Sequence, residues 1–312
     1  MKLQGLHHIT LVTGDAQKTV DFYVDVLGLR MVKKTVNFDD PTAYHLYFGD
    51  DAGTPGSILT WFEYPGAEPG IPGPGMVHTI QLGIASAEAI DFWASRLQDK
   101  GYDSNLEEDG SLLVIDWEGM HIQLVVADPE NPPLRAAHPE IPAEMAIVGV
   151  EGARAYSAYA TVEERVLSDL LGFTYLGGGE YRLEGGLRNF RWGYDQPYAD
   201  GAQGGGTVHH IAWATPDDAE QEAWHTRLDD SGAYVTDVLD RDYFRSIYFR
   251  EPRNVLFEIA TIPPGFTKDE EPEDLGDELK LPRMHEHLRA ELERSLTPIV
   301  NPRTARGVET GE

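Results

Sequence analysis

The chain has 312 residues, 41% of them hydrophobic and 10% aromatic, enough for a packed core and too many for a disordered chain. It has no cysteine, which excludes disulfides, thiolate-bound zinc, iron–sulfur clusters and a thiol nucleophile. Its 53 acidic and 25 basic residues give a net charge of −28, a surface that repels nucleic-acid phosphates and anionic lipid.

No apolar run is long enough to span a membrane, and Met1–Thr10 lacks the apolar stretch and cleavage site of a signal peptide. A cytoplasmic protein with a small-molecule partner, and without nucleic acid or membrane, is the expectation. Seven of the 25 basic residues are Lys, which fits either salt adaptation or a GC-rich genome.

In chain order, residues 8–15 (His-Ile-Thr-Leu-Val-Thr-Gly-Asp) alternate like a strand and end in a turn. A helical pattern follows over Ala16–Leu27, with Val20, Phe22, Tyr23 and Val26 apolar and Gly28 as C-cap. Three strand-like runs come next: Arg30–Thr35, Ala43–Phe48 and Ser57–Tyr64. After the joint Pro65–Pro74, Val77–Leu82 leads into a helix over Ala87–Leu97. After the joint Pro129–Pro142, Ile147–Val150 leads into a helix over Val162–Leu171, where Leu171-Gly172-Phe173 echoes Leu27-Gly28-Leu29.

After the joint Gln196–Gly206, residues 210–217 (His-Ile-Ala-Trp-Ala-Thr-Pro-Asp) repeat the opening pattern. Each copy starts on the second of two His, His8 after His7 and His210 after His209, and reaches Asp seven residues later. A helix over Asp218–Leu228 and the runs Tyr234–Leu239, Arg245–Phe249 and Val255–Thr261 complete this copy. The tail opens with the acidic run Asp269–Glu278 and carries a short helix over Arg283–Leu296.

One unit, strand–helix–three strands (βαβββ), is therefore repeated four times, over 1–66, 75–128, 145–200 and 205–263. Modules one and two form an N-terminal half, 1–142, and modules three and four a C-terminal half, 143–263. Residues 264–312 are an acidic tail, open to a role as a lid or an oligomer contact.

This α+β repeat resembles the vicinal oxygen chelate superfamily of glyoxalases, bleomycin-resistance proteins and extradiol dioxygenases. The resemblance covers 1–263 and leaves out the tail. It implies two cupped, incomplete β-barrels, the glyoxalase/extradiol dioxygenase fold, with metal ligands on the first and last strand of a module. Module one offers His8, then Thr60, Trp61 or Phe62, none a good ligand, with Glu63 outside that window. Module four offers His210, then Glu258 at the end of the closing motif Glu251–Glu258. Module two offers His78 or Thr79, then Gln123; module three offers Val148 or Val150, then Arg188, Arg191 and aromatics.

The resemblance thus implies one metal site, His8, His210 and Glu258. Unless the site is shared between chains, modules one and four must share a barrel. Two His and one carboxylate with open positions suit Fe(II), and Mn(II) as well. His78 and His121 are read as structural and His45 as strand core, and His138, His225, His285 and His287 receive no role.

The stretch Leu27–Asp50, with Val32–Pro41 and Tyr44–Asp50, resembles more narrowly the ring-cleaving dioxygenases that open hydroquinones and chlorohydroquinones. That resemblance implies Fe(II), an aromatic diol and O2, with His7, Thr10, Arg241 and Tyr248 as the catalytic surroundings of the metal. A para-hydroquinone gives the metal one oxygen only, so its remote hydroxyl needs a protein partner such as His or Tyr. A cation such as Arg241 would stabilise negative charge on reduced dioxygen. Tyr248 can donate a hydrogen bond or a proton. The plainer readings are a surface ion pair for Arg241, between Asp240 and Asp242, and core packing for Tyr248.

Two other functions compete on this fold. A glyoxalase- or epimerase-type lyase or isomerase uses four protein ligands, and Thr60–Phe62 supplies no carboxylate. A non-enzymatic binder of the bleomycin-resistance type lacks the ligand set. A homodimer or higher homo-oligomer is the expected assembly. Screening of the −28 charge predicts that thermal stability rises with KCl only to a few tenths molar, where the Debye length is a few ångströms. A rise that continues to molar KCl in a thermal melt marks a salt-adapted surface.

Overall fold

The repeated Asp is a helix cap. In the computed structural model, which describes residues 1–304, Asp15 accepts from the Lys18 backbone N–H at 3.1 Å and Asp217 from Glu220 at 2.9 Å. Each cap lies two residues beyond its strand, which explains the equal His-to-Asp spacing. The last eight residues of the tail lie outside the described residues.

Module one comprises β1 (Leu6–Thr13), α1 (Ala16–Val20), β2 (Arg30–Val36), β3 (Tyr44–Gly49) and β4 (Ile58–Glu63). Module two follows with β5 (Val77–Ile84), α2 (Ala89–Asp99), β6 (Ser104–Leu106), β7 (Leu112–Ile115) and β8 (His121–Val126). Module three contains β9 (Ile147–Tyr156), β10 (Phe173–Gly177), β11 (Glu180–Leu183) and β12 (Phe190–Asp195). Module four contains β13 (Val208–Thr215), α3 (Asp218–Asp230), β14 (Leu239–Asp240), β15 (Arg245–Arg250) and β16 (Leu256–Thr261).

Several local expectations are corrected. The helix expected over Ala16–Leu27 widens after Val20 into π-helical Asp21–Val26, and Gly28 ends it at φ 77°. The helix expected over Val162–Leu171 is reduced to π-helical Val166–Leu171, and the Glu164 backbone N–H ahead of it donates to the Tyr181 hydroxyl. The strand expected over Tyr234–Leu239 survives as Leu239–Asp240 and one bridge from Val235 to Phe249. There the Thr236 hydroxyl replaces a ladder rung by accepting from the Tyr248 N–H at 3.0 Å. In the tail, α4 covers Arg289–Ser295 after a 3₁₀ turn over Glu286–Leu288, shorter than the expected helix.

Among the described residues the strands form two eight-stranded sheets. One has the order β14-β15-β16-β13-β1-β4-β3-β2, and the other β10-β11-β12-β9-β5-β8-β7-β6. Modules one and four therefore share a barrel, and modules two and three share the other. Within a module the first and last strands are parallel, and β1–β13 and β5–β9 join the modules antiparallel. An aromatic cluster links the barrels: Trp192 of β12 lies 5.5 Å from Phe257 of β16, and Phe190 lies 5.3 Å from Trp213 of β13. No helix among the described residues is long and apolar enough to cross a membrane.

The tail straps module one. Leu279 bridges to Lys34 of β2, and the Tyr44 hydroxyl of β3 donates to the Thr297 carbonyl at 3.0 Å. The acidic run meets a fully buried cation: Lys33 Nζ donates to the Phe266 carbonyl at 3.1 Å, to Asp269 at 2.6 Å and to Glu270. It also lies 4.7 Å from the centre of the Tyr243 ring. Lys33→Met leaves both carboxylates without their cation. A loss of about 1.5–3 kcal/mol, the scale of hydrogen bonds to charged groups, is expected in denaturant unfolding, with faster proteolysis of the tail.

Candidate metal centre

The β1–β13 pairing has a local twofold centred on Ile9 opposite Ile211, with His8 opposite Ala212 and Thr10 opposite His210. Alternation then puts His8 and His210 on the same face. The last strand of module four lies parallel to β13 and sets Glu258 beside Ala212. The three side chains converge. His8 Nε2 and His210 Nε2 are 3.3 Å apart, and Glu258 Oε2 is 3.4 Å from the first and 2.9 Å from the second.

Three atoms bound to a metal at roughly 2.1 Å and at right angles lie about 3 Å apart, so the spacing fits a divalent ion. The donor chemistry fits as well: Glu258 Oε2 is buried without a hydrogen-bond partner, while the Ser246 hydroxyl holds Oε1. Among the described residues this is the group of three that could hold a metal ion.

The rings are held from behind. His8 Nδ1 lies 2.8 Å from His7 Nδ1, and His210 Nδ1 lies 2.8 Å from His209 Nδ1. The ladder slips between Leu6 and His8, which sets His7 in a bulge. Its other nitrogen bonds the Thr261 backbone, so Nδ1 of His7 is free to accept from His8 and leave His8 Nε2 as a lone pair. Burial, and then the neighbouring His8, hold His7 neutral by lowering its pKa to about 3. Burial and His210 likewise lower His209 to about 4.

A cavity of about 370 Å³ opens beside these rings. Phe38, Phe62, Phe244, Leu239 and Leu256 give it apolar walls, and Arg241 is the one Lys or Arg side chain among its lining residues. Arg241 stands over the rings of Phe38 and Tyr248, 5.7 and 5.6 Å from their centres. It also pairs at 3.2 Å with Asp39. The flanking acids are occupied elsewhere: Asp240 accepts from the Asp242 backbone and Asp242 pairs with Lys268. The Tyr248 ring lies edge-on to His210 at 5.6 Å, and burial, then Glu258, pushes its hydroxyl pKa up, so it keeps its proton.

Of the residues expected around the metal, His8, His210, Arg241 and Tyr248 line the cavity. His7 and Thr10 are not among its lining residues. Thr10 accepts from the Thr60 hydroxyl at 3.0 Å, and Thr60 bonds His45 at 2.9 Å. His45, read from sequence as strand core, is a lining residue, and so are His209 and Tyr47. The doubled His in both first strands was the available signal for His209, whereas nothing local marks His45 or Tyr47.

The register settles which residues match Glu258. Thr60 lies beside Thr10 as Glu258 lies beside Ala212, so Thr60, not Trp61 or Phe62, is its counterpart. Glu63 instead accepts from the Ala16 backbone N–H at the start of α1. In the second barrel the twofold falls on Ile80 opposite Ala153. The positions matching His8, His210, Thr60 and Glu258 are then Thr79, Gly152, Gln123 and Gly193. Module three therefore presents Gly152, not Val148 or Val150. Polar side chains fill this barrel instead: Arg154 pairs with Asp195 and Glu180, and His78 with Asp195.

A family model, the Glyoxalase/Bleomycin resistance protein/Dioxygenase superfamily, matches residues 5–110 and 151–259. The chain belongs to this superfamily. It is 40% identical over 304 residues to the "Putative ring-cleaving dioxygenase MhqO" of Bacillus subtilis (strain 168), covering 95% of this chain and 97% of that protein. It is 33% identical over 323 residues to a chlorohydroquinone/hydroquinone 1,2-dioxygenase of Sphingobium indicum, covering 96% and 98%. A crystal structure of a Bacillus subtilis protein described as a dioxygenase superposes with a TM-score of 0.89 at 38% identity, over 96% of this chain and 98% of the other.

One triad predicts about one divalent ion per chain by elemental analysis, since the second barrel has no counterpart. His8→Ala, His210→Ala and Glu258→Ala are each expected to abolish retention of that ion through gel filtration. Ser246→Ala is expected to weaken it on the order of 10–100-fold, because Ser246 holds the second carboxylate oxygen.

Proposed function

We propose that the chain is an Fe(II)-dependent dioxygenase that opens the ring of a hydroquinone-type aromatic diol beside a hydroxylated carbon. The observation that carries the reading is the convergence of His8, His210 and Glu258 beside an apolar cavity that Arg241 and the phenol of Tyr248 also line. His8, His210 and Glu258 are the residues that would hold the metal, and their donor set suits Fe(II), or Mn(II). Bound there, the metal would supply a Lewis-acid position for one substrate oxygen and a path for electrons from the diol, which is the group oxidised, to dioxygen. Both atoms of O2 end in the ring-opened product, so no external reductant is consumed.

The chain's own groups do the rest. Phe38, Phe62 and Phe244 pack an aromatic ring and exclude water. His7 and His209 bond the Nδ1 side of the His8 and His210 rings and so orient them with Nε2 inward. Arg241 sets a permanent positive charge where negative charge develops on reduced dioxygen. Tyr248 retains its proton in the buried site and can donate it during O–O cleavage. Thr10 anchors the hydrogen-bonded chain that runs to His45.

The test is oxygen uptake by the Fe(II)-loaded protein. Substituted hydroquinones are expected to drive it and to yield ring-opened acids, whereas methylglyoxal hemithioacetal is expected to stay unchanged. Isomerisation of the hemithioacetal without oxygen uptake on any aromatic diol would overturn the reading in favour of a glyoxalase-type enzyme. Arg241→Ala and Tyr248→Phe are expected to keep the metal and lose on the order of 10–100-fold in turnover.

A further inference from the structure

Module one lends the cavity a directed chain of hydrogen bonds. β3 carries His45 and Tyr47 on one face, and the register places Tyr47 opposite Thr60 of β4. The Thr60 hydroxyl donates to Thr10 Oγ1 at 3.0 Å. With its proton committed, Thr60 can meet His45 Nε2, 2.9 Å away, only as an acceptor, so Nε2 carries hydrogen. Burial, together with the nearby positive groups, keeps the His45 ring neutral. Its Nδ1 is then a lone pair, and the Tyr47 hydroxyl 3.0 Å away must donate to it.

These steps leave the Tyr47 oxygen as an acceptor only. Tyr47 lines the cavity, and its ring is fixed against Phe266 of the tail at 5.0 Å and Tyr243 at 6.5 Å. The twofold makes Tyr248 its counterpart, since Tyr248 pairs with Glu258 as Tyr47 pairs with Thr60. The residue matching His45 is Ser246, which bonds Glu258. Tyr248 is therefore not committed to an imidazole. The two phenols present opposite polarity to the same space.

We propose that Tyr47 accepts a hydrogen bond from the substrate hydroxyl remote from the metal, and that His45 is the positioning residue that fixes its polarity. The site then selects rings that carry a second, free hydroxyl, and rejects the same ring when that oxygen is an ether. A buried acceptor left without its donor discriminates strongly between such analogues. This inference rests on the dioxygenase reading, but it is tested by binding.

The experiment titrates the Fe(II)-loaded protein anaerobically with hydroquinone and with 4-methoxyphenol, which differ in that hydrogen. The wild-type protein is expected to prefer hydroquinone by about tenfold or more, the scale of one hydrogen bond with its desolvation. Tyr47→Phe is expected to erase the preference at unchanged metal content. Thr60→Val, which removes the acceptor that orients His45, is expected to reduce it, and Thr60→Ser to restore it. Equal affinities for the two phenols in the wild type, or an undiminished preference in Tyr47→Phe, overturns the inference even where hydroquinone drives oxygen uptake. A preference for hydroquinone without oxygen uptake sinks the dioxygenase reading instead and leaves the Tyr47 contact standing.

Discussion

The antiparallel pairing of β1 with β13 is the constraint from which the site follows. Its twofold at Ile9 and Ile211 makes His8 and His210 mirror positions, although they are 202 residues apart in sequence. Each first strand runs parallel to the last strand of its own module, so each barrel offers four inward positions. In one barrel they are His8, His210, Thr60 and Glu258. In the other they are Thr79, Gly152, Gln123 and Gly193. The backbone builds the same place twice, and the side chains equip it once.

Electrostatics separates the barrels. Burying a carboxylate is costly unless charge or hydrogen bonds compensate. The second barrel has no buried carboxylate at these positions: Arg154 pairs with the partly exposed Asp195 and Glu180, and His78 with Asp195. The first barrel leaves Glu258 Oε2 facing two imidazole nitrogens and no hydrogen-bond donor. That arrangement is poor as a self-contained ion pair and apt for a divalent cation.

The tail contributes to the same region by packing. Lys33 holds Asp269, Glu270 and the Phe266 carbonyl, and Phe266 lies against Tyr47 and Tyr243. Phe244, next in the chain, lies 4.9 Å from His7 and 5.2 Å from His8. A buried lysine, paired with Tyr47 across the β2–β3 ladder, thus connects through three aromatic side chains to the rings at the centre. The acidic run Asp269–Glu278 is, in part, the counter-charge of that lysine.

The sequence by itself determined the repeat, because four copies of one alternation-and-helix pattern record periodicity and Asp caps that are local properties. It also determined that modules one and four must meet, once the resemblance to a metal-binding fold named His8, His210 and Glu258. Local pattern misjudged Tyr234–Leu239, where a threonine hydroxyl displaces a backbone rung, and it overextended the helix at Val162. It had no means to choose among Thr60, Trp61 and Phe62, because a shift of one residue turns a strand's other face inward, and register is set by the partner strand. His45 read as ordinary strand core, and Tyr47 drew no role of its own, for the same reason. Only the tertiary structure decided that they face a cavity and that their hydrogen bonds run in one direction. That direction depends on Thr60 donating to Thr10, and these residues meet only when β1, β3 and β4 lie side by side.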